Sequence, residues 1–261
     1  GVETLTQSYR IPSKVHGLAE RVVGRIRNRF PKKYEPREET GVVRRINSVD
    51  ELDMAHGTWL ILSQAGYLLQ PVQQDLKSSG YLFTYRGSRS ISEKISASVI
   101  GWEELRKGRP VTGATARKIY SFMSLKTRVL RGFKKLPSLD DEDMVTLQGL
   151  QEHHGLVATE DMLWHQAMDK LPEQDRAYII AMLRRGEKFT ATPRITVSTI
   201  HGAKGGEAEN VVVFTDLSPA ADQQMSLNPD DMHRTFYVAV TRSLQNLYIV
   251  EPEDHNRSYQ L

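Results

Sequence analysis

The chain has 261 residues, 39% of them hydrophobic and 26% charged, which is enough for one large domain or for a domain with a substantial insertion. It contains no cysteine, which excludes disulfides, thiolate metal sites and a cysteine nucleophile, and which fits a cytoplasmic setting. No apolar run is long enough to span a membrane, the polar opening at residues 1–9 is no signal peptide, and a net charge of +3 permits a polyanionic partner without requiring one.

The first periodic segment is residues 13–30, where Val15, Leu18, Ala19, Val22, Val23 and Ile26 fall on one helical face. Pro12 suits the first turn of that helix, where its missing N–H costs little. Residues 32–40 form a charged, proline-bearing connector. Residues 41–47 read as a short strand and 58–63, TWLILS, as a buried one. An amphipathic helix follows at 67–79, with Leu68, Leu69, Val72 and Leu76 on its apolar side, then a strand at 81–86. Strand-helix-strand alternation implies parallel pairing through right-handed crossovers.

After Gly87 the texture changes. Residues 88–190 contain helix-like stretches at 94–106, 115–129, 140–153, 159–170 and 173–185 and few β-branched runs. Residues 106–135 contain ten Lys or Arg and no Asp or Glu. Tyr120, Phe122 and Phe133 interleave with these cations, as on many nucleic-acid surfaces. The competing explanation is a solvated face balanced by the acidic run at 140–143. The pair His153-His154 has no partner at ligand spacing, so no metal site is expected there.

The sheet resumes at Arg194. A β-branched run at 195–200 breaks at His201-Gly202, and a glycine-rich loop carrying Lys204 and Glu207 leads to a second apolar run at 211–214. Residues 228–243 read as a helix with Met232, Phe236, Ala239 and Val240 turned inward, and 246–250 as the last strand. From Asp254 the chain is polar and is expected to fray. Two buried strands joined by a polar, glycine-bearing loop suggest a site built at strand ends in an α/β sheet.

The wording of that loop goes further. TIHGAKGGE at 199–207, followed by FYVAVTR at 236–242, resembles motifs V and VI of the UvrD/Rep-like superfamily-one DNA helicases. Tyr9-Arg10, just ahead of the first helix, resembles motif IV. The resemblance implies a RecA-like parallel sheet flanked by helices, with an inserted all-helical subdomain. Residues 1–87 and 191–261 would make the second RecA-like domain, and 88–190 the insertion. It also assigns roles. Arg10 and Arg242 would reach the γ-phosphate of ATP, and Glu207 would bond the ribose, with Gly205 and Gly206 beside it. Gly206 stands where leucine is commoner in the family, a departure read as conformational. Thr199, His201 and Lys204 match positions near the single-stranded DNA backbone, and Arg128, Arg131, Lys134 and Lys135 extend DNA contact into the insertion. The plainer alternatives are a loop-capping acid at Glu207 and an internal salt bridge at Arg242.

Half of the chemistry is missing from the sequence. No Gly-Lys dipeptide occurs to wrap a triphosphate, and no strand ends in an Asp-Glu pair that could hold magnesium. Asp216 is a lone acid, read as a turn residue. The resemblance therefore implies that ATP with Mg2+ is bound mainly by an N-terminal RecA-like domain of the same protein. This chain would supply arginines and contacts to single-stranded or partially duplex DNA, and no membrane is involved. A stand-alone nucleic-acid-binding module and a protein-interaction or regulatory domain are the competing classes. Arg242 has Ala239 and Val238 three and four residues before it, so no local acid holds it, and it is expected to be exposed or loosely held.

Overall fold

The computed structural model describes residues 7–29, 35–203 and 205–261, with side chains from Ile11 onward. The chain divides into two compact units, one formed by Gly1–Ser90 with Thr190–Leu261 and the other by Ile91–Phe189.

The first unit opens with β1 (Gln7–Pro12), α1 (Ser13–Val23), β2 (Glu35–Arg37), β3 (Val42–Ile46), β4 (Trp59–Ser63), α2 (Gln70–Ser78), β5 (Phe83–Tyr85) and β6 (Ser88–Arg89). The second unit follows with α3 (Glu93–Arg106), β7 (Val111–Thr112), α4 (Gly113–Ser121), β8 (Met144–Val145), α5 (Leu147–His153), α6 (Trp164–Ala167) and α7 (Glu173–Arg185). The chain then returns to the first unit through β9 (Ile195–Thr199), β10 (Ala208–Phe214), α8 (Pro219–Leu227), α9 (Pro229–Val240) and β11 (Ser243–Val250).

The central sheet has seven strands in the order β3-β11-β10-β4-β9-β5-β6. Every pairing in it is parallel except the β5–β6 edge hairpin. Both faces are covered, which is why β4 reads as a continuous apolar run. Leu60 and Leu62 point into the layer under α1, α8 and α9, while Trp59 and Ile61 point into the layer under α2. The result is the RecA-like α/β arrangement.

Several local expectations give way to long-range bonds. Helix α1 stops at Val23 rather than running to residue 30, because the backbone N–H groups of Arg27 and Asn28 are taken by the Asp230 carboxylate, both at 3.0 Å. These two bonds hold the Asp230 carboxyl below the usual carboxylate range. Residues beyond Asp254 do not fray. Leu217 N donates to Arg257 O and Tyr259 N to Thr215 O at 3.0 and 2.8 Å, and Tyr259 and Leu261 are buried in the main core. Asp216 is a loop residue, accepting from the backbone N–H of Glu253 and Asp254.

The second unit is helical but not all-helical: β7 and β8 pair antiparallel. That pairing uses part of the segment read as one helix at 140–153, and the carbonyls of Asp141 and Asp143 receive the first N–H groups of α4. Helix α4 ends at Ser121, and the stretch read as its continuation to 129 is a chain of turns in which Lys126 takes a left-handed φ of 72°. The helix expected at 159–170 shrinks to α6. Helices α3 and α4 approach closely at Gly101, where an added Cβ would lie 2.5 Å from Thr115 Cγ2. Trp102 is wholly buried, its indole N–H donating to Met162 O at 2.9 Å. No described helix is long and apolar enough to cross a membrane.

Candidate functional site

The link from β9 to β10 must cross over β4 in eight residues, and it does so on the α9 side of the sheet. Ile200 N donates to Ser63 O, and Ile200 and Ala203 are buried beneath the loop. Thr199 Oγ1 accepts from Gly202 N at 3.1 Å, Ala203 N bonds Thr199 O, and Gly206 N bonds Ala203 O. Gly205 has φ +90°, a conformation other residues rarely adopt. Gly206 is not left-handed, and a Cβ there would sit 3.3 Å from Ala203 O, close enough that the carbonyl would have to shift slightly to admit a side chain.

The loop delivers Glu207 to the amino end of β10. Ala208 N donates to Arg242 O at 3.2 Å, and Ala208 pairs with Ser243 in register. Glu207 and Arg242 are therefore neighbours on adjacent strands although 35 positions apart. Strand β1 packs against β11, and Pro12 and the Gln245 carbonyl both crowd Gly41. The backbone of Arg10 thus lies near this edge; its side chain, like the whole of Lys204, is outside the described residues.

Arg242 is half-buried. Its Nε is sealed from solvent without a hydrogen-bond partner, and the side chain has no ion pair among the described residues. It lines one end of a groove of about 470 Å³ that runs along α9, walled by Val238, Thr235 and Arg234 on that helix. His201 and Gln64, just past the carboxyl ends of β9 and β4, line the other end. Arg234 is tied to Asp231 at 2.9 Å and to Asn28 O at 3.0 Å, so it is not available in the way Arg242 is. The internal salt bridge weighed for Arg242 is absent from the described residues.

Sequence reasoning missed Gln64 and Thr235. Thr235, Val238 and Arg242 follow helical spacing, so that wall was legible from the period alone. Gln64 carried no signal beyond its place after a buried strand.

In the second unit the cations at 106–135 have mostly found partners. Arg106 meets Glu103 at 2.8 Å, Arg109 meets Glu104 at 2.9 Å, Arg117 meets Asp141 at 2.6 Å and Lys118 meets Glu93 at 3.3 Å. Arg128 donates to Gln166 O, and Lys134 to Met123 O. Burial lowers the Lys134 pKa from the usual lysine value. Of the four cations expected to contact DNA here, only Arg131 and Lys135 are exposed. Of the interleaved aromatics Tyr120 is lost to the core, while Phe122 and Phe133 are half-buried. Tyr120 is wholly buried with its hydroxyl donating to His154 O, Phe122 lies under Lys94, and Phe133 packs against Gly155.

Residues 194–250, from β9 through β11, match the family described as UvrD-like helicase C-terminal domain. The match covers 57 of the 261 residues, all of them in the first unit. No curated protein matches the chain. The matched stretch contains the crossing loop, Glu207, α9 and Arg242, so the family match and the arginine without an ion pair among the described residues fall on the same elements.

Proposed function

We propose that this chain is the C-terminal portion of an ATP-dependent DNA helicase or translocase, and that it closes over ATP and Mg2+ held mainly by an N-terminal RecA-like domain. The observation that supports the reading is Arg242: a guanidinium whose buried Nε has no partner among the described residues, its backbone beside Glu207 at the amino ends of β11 and β10. Leaving a cation in that state costs stability unless something else uses it. A module that had lost ATP chemistry would have no such use.

The chemistry this residue set fits is phosphoryl transfer. Charge spreads over the γ-phosphate oxygens in the transition state, and a planar guanidinium brought in from a facing domain stabilises it with bidentate geometry. Arg242 takes that part, Arg10 approaches from β1, and Glu207 holds the ribose, with Gly205 and Gly206 leaving room for the backbone to come close. At the other end of the groove Thr199, His201 and Lys204 lie along the DNA backbone. Because one groove wall joins both ends, closure over nucleotide and grip on DNA are mechanically linked through α9 and the crossing loop.

The test is Arg242→Ala in the polypeptide that joins this chain to a phosphate-loop domain. Turnover should fall by about 10³ or more, while ATP and DNA affinities stay within a few-fold. Arg242→Lys should restore little, because a point charge cannot reproduce the guanidinium fork. Near-normal turnover in Arg242→Ala would refute the assignment.

A further inference from the structure

The carboxyl ends of β3, β10 and β11 open into a cavity of about 380 Å³, within the size range of ligand pockets. Its floor is apolar. Val49, Val72, Leu217 and Val250 are buried there, with Phe214 half-buried beside them. Tyr67, in the turn before α2, lines the same cavity and is 51% exposed. Five carboxylates complete the lining, Asp75, Asp216, Glu251, Glu253 and Asp254, against one cation, Arg257.

Three of the five are engaged within the fold. Asp216 accepts from the backbone N–H of Glu253 and Asp254 at 3.0 and 3.3 Å, and Glu251 meets Arg45 at 3.2 Å. Asp254 accepts from Asn256 N at 3.0 Å, with Arg257 3.9 Å away. Asp75 on α2 and Glu253 after β11 are exposed, and neither has an ion pair among the described residues. The bonds to Asp216 fix the backbone that carries Glu253, so its charge is held in place rather than carried on a loose tail. Arg257 does not balance the acids: its Nε is shut off from solvent with no partner among the described residues.

From these observations we infer that the cavity docks a basic segment of a partner protein, presenting an arginine next to a bulky aliphatic residue. The aliphatic side chain fills the floor, and the guanidinium reaches the rim formed by Tyr67, Asp75 and Glu253. Charge decides the sign of the occupant, since carboxylates at short range repel a polyanion. Among the described residues no group of three or more acidic or histidine side chains is arranged to hold a metal ion. Carboxylates spread around an apolar floor suit instead a cation carried on an aliphatic stem. Arginine suits Tyr67 better than lysine does, because its planar head can stack on an aromatic ring while it pairs with a carboxylate. A free polyamine would satisfy the rim and leave the floor unfilled. Neither nucleotide chemistry nor DNA contact is needed for this docking, since Arg242 lies at the other, amino end of β11.

The experiment is fluorescence anisotropy of the full chain with a labelled heptapeptide, Gly-Ser-Arg-Leu-Arg-Ser-Gly. Two relatives serve as controls, one with citrulline for both arginines and one with serine for the leucine. The parent chain should bind the first peptide about tenfold tighter than either relative. Asp75→Asn with Glu253→Gln should weaken that binding about tenfold and flatten its salt dependence, and Tyr67→Ala should weaken it about threefold. All three side chains are exposed, and thermal melts matching the parent confirm that the variants fold. No binding of the first peptide, equal binding of the citrulline peptide, or variants that bind as the parent does would each overturn the proposal. If the serine peptide binds as well as the leucine peptide and free spermidine displaces both, the occupant is a small polyamine and the protein partner is wrong. The Arg242 test decides the nucleotide role whatever the peptides do.

Discussion

Tyr259 should be among the more expensive residues to remove from the RecA-like unit, although its neighbourhood reads as a polar tail. Its ring stacks on Phe236 with centroids 4.0 Å apart and planes 4° apart, its hydroxyl meets His233 Nδ1 at 2.8 Å, and it is 1% exposed. Arg25 lies over the ring at 5.6 Å and also donates to Gln260 O, so the ring ties α1 to α9. Truncating a buried aromatic to alanine costs about 3–5 kcal/mol through lost transfer energy and the cavity left behind. Removing only the hydroxyl leaves the buried His233 nitrogen unsatisfied, at about 1–2 kcal/mol. Urea unfolding followed by circular dichroism should therefore rank Tyr259→Ala well below Tyr259→Phe, with Tyr259→Phe below the parent. If Tyr259→Ala costs less than about 1 kcal/mol, the tail frays as its composition suggests and the packing account is wrong.

Two other predictions concern the same fold. His233 is buried against Tyr259, and desolvation, followed by the nearby Arg25 charge, lowers its pKa despite the opposing pull of Asp230 and with a further push from Arg27. A histidine whose folded pKa is depressed contributes stability that is full above its unfolded value near 6.5 and is lost as pH falls through and below it. The melting temperature should drop between pH 7.5 and 5.5, and a drop of the same size in His233→Gln would exclude this residue as the cause. Gly113→Ala places a Cβ 2.0 Å from the Asp140 carbonyl oxygen, a backbone atom that cannot rotate away. It should destabilise the helical unit by about 1–3 kcal/mol in thermal melts, more than Gly101→Ala, whose obstacle is the Thr115 methyl.

What was legible in the sequence is what depends on period and covering layers. TWLILS had to be a strand buried on both faces, and Glu173–Arg185 announced itself by acids in its first turn and Gly186, at φ +80°, past its end. The segments that were misread share one cause, which is that distant groups outcompete local propensity. Residues 122–129 carry a helix-like composition, but Ser124 is held by Asp169 and Leu130 by Gly155. The acidic run at 140–143 spends its backbone on α4, and the tail after Asp254 is held by Tyr259. In the site, the lack of an ion pair on Arg242 among the described residues agrees with the neutral residues one turn before it, but the expected exposure does not: the side chain is half-buried, with its Nε out of solvent. The consumption of the basic stretch was not legible, because Asp141, Glu93 and several carbonyl oxygens reach those cations across the fold.

The two ends of the sheet also differ in charge, which bears on the proposed nucleotide role. In open parallel sheets the ligand crevice normally lies at the carboxyl ends of the strands. Here the carboxyl ends of β3, β10 and β11 open into a cavity of about 380 Å³ whose walls include Asp75, Asp216, Glu251, Glu253 and Asp254. Arg257 is the cation among its lining residues, and its guanidinium lies 3.9 Å from Asp254. Polyphosphate entering there would meet carboxylates at short range, a repulsion that strengthens as water is excluded. The amino end of β11 offers the opposite: Arg242, with no ion pair among the described residues, lines the groove along α9. A chain that held its own triphosphate would need cations where this one has acids. On the proposed reading a cation is needed at the end that meets the facing domain, and the hydrogen bond from Ala208 N to the Arg242 carbonyl fixes the backbone at that end.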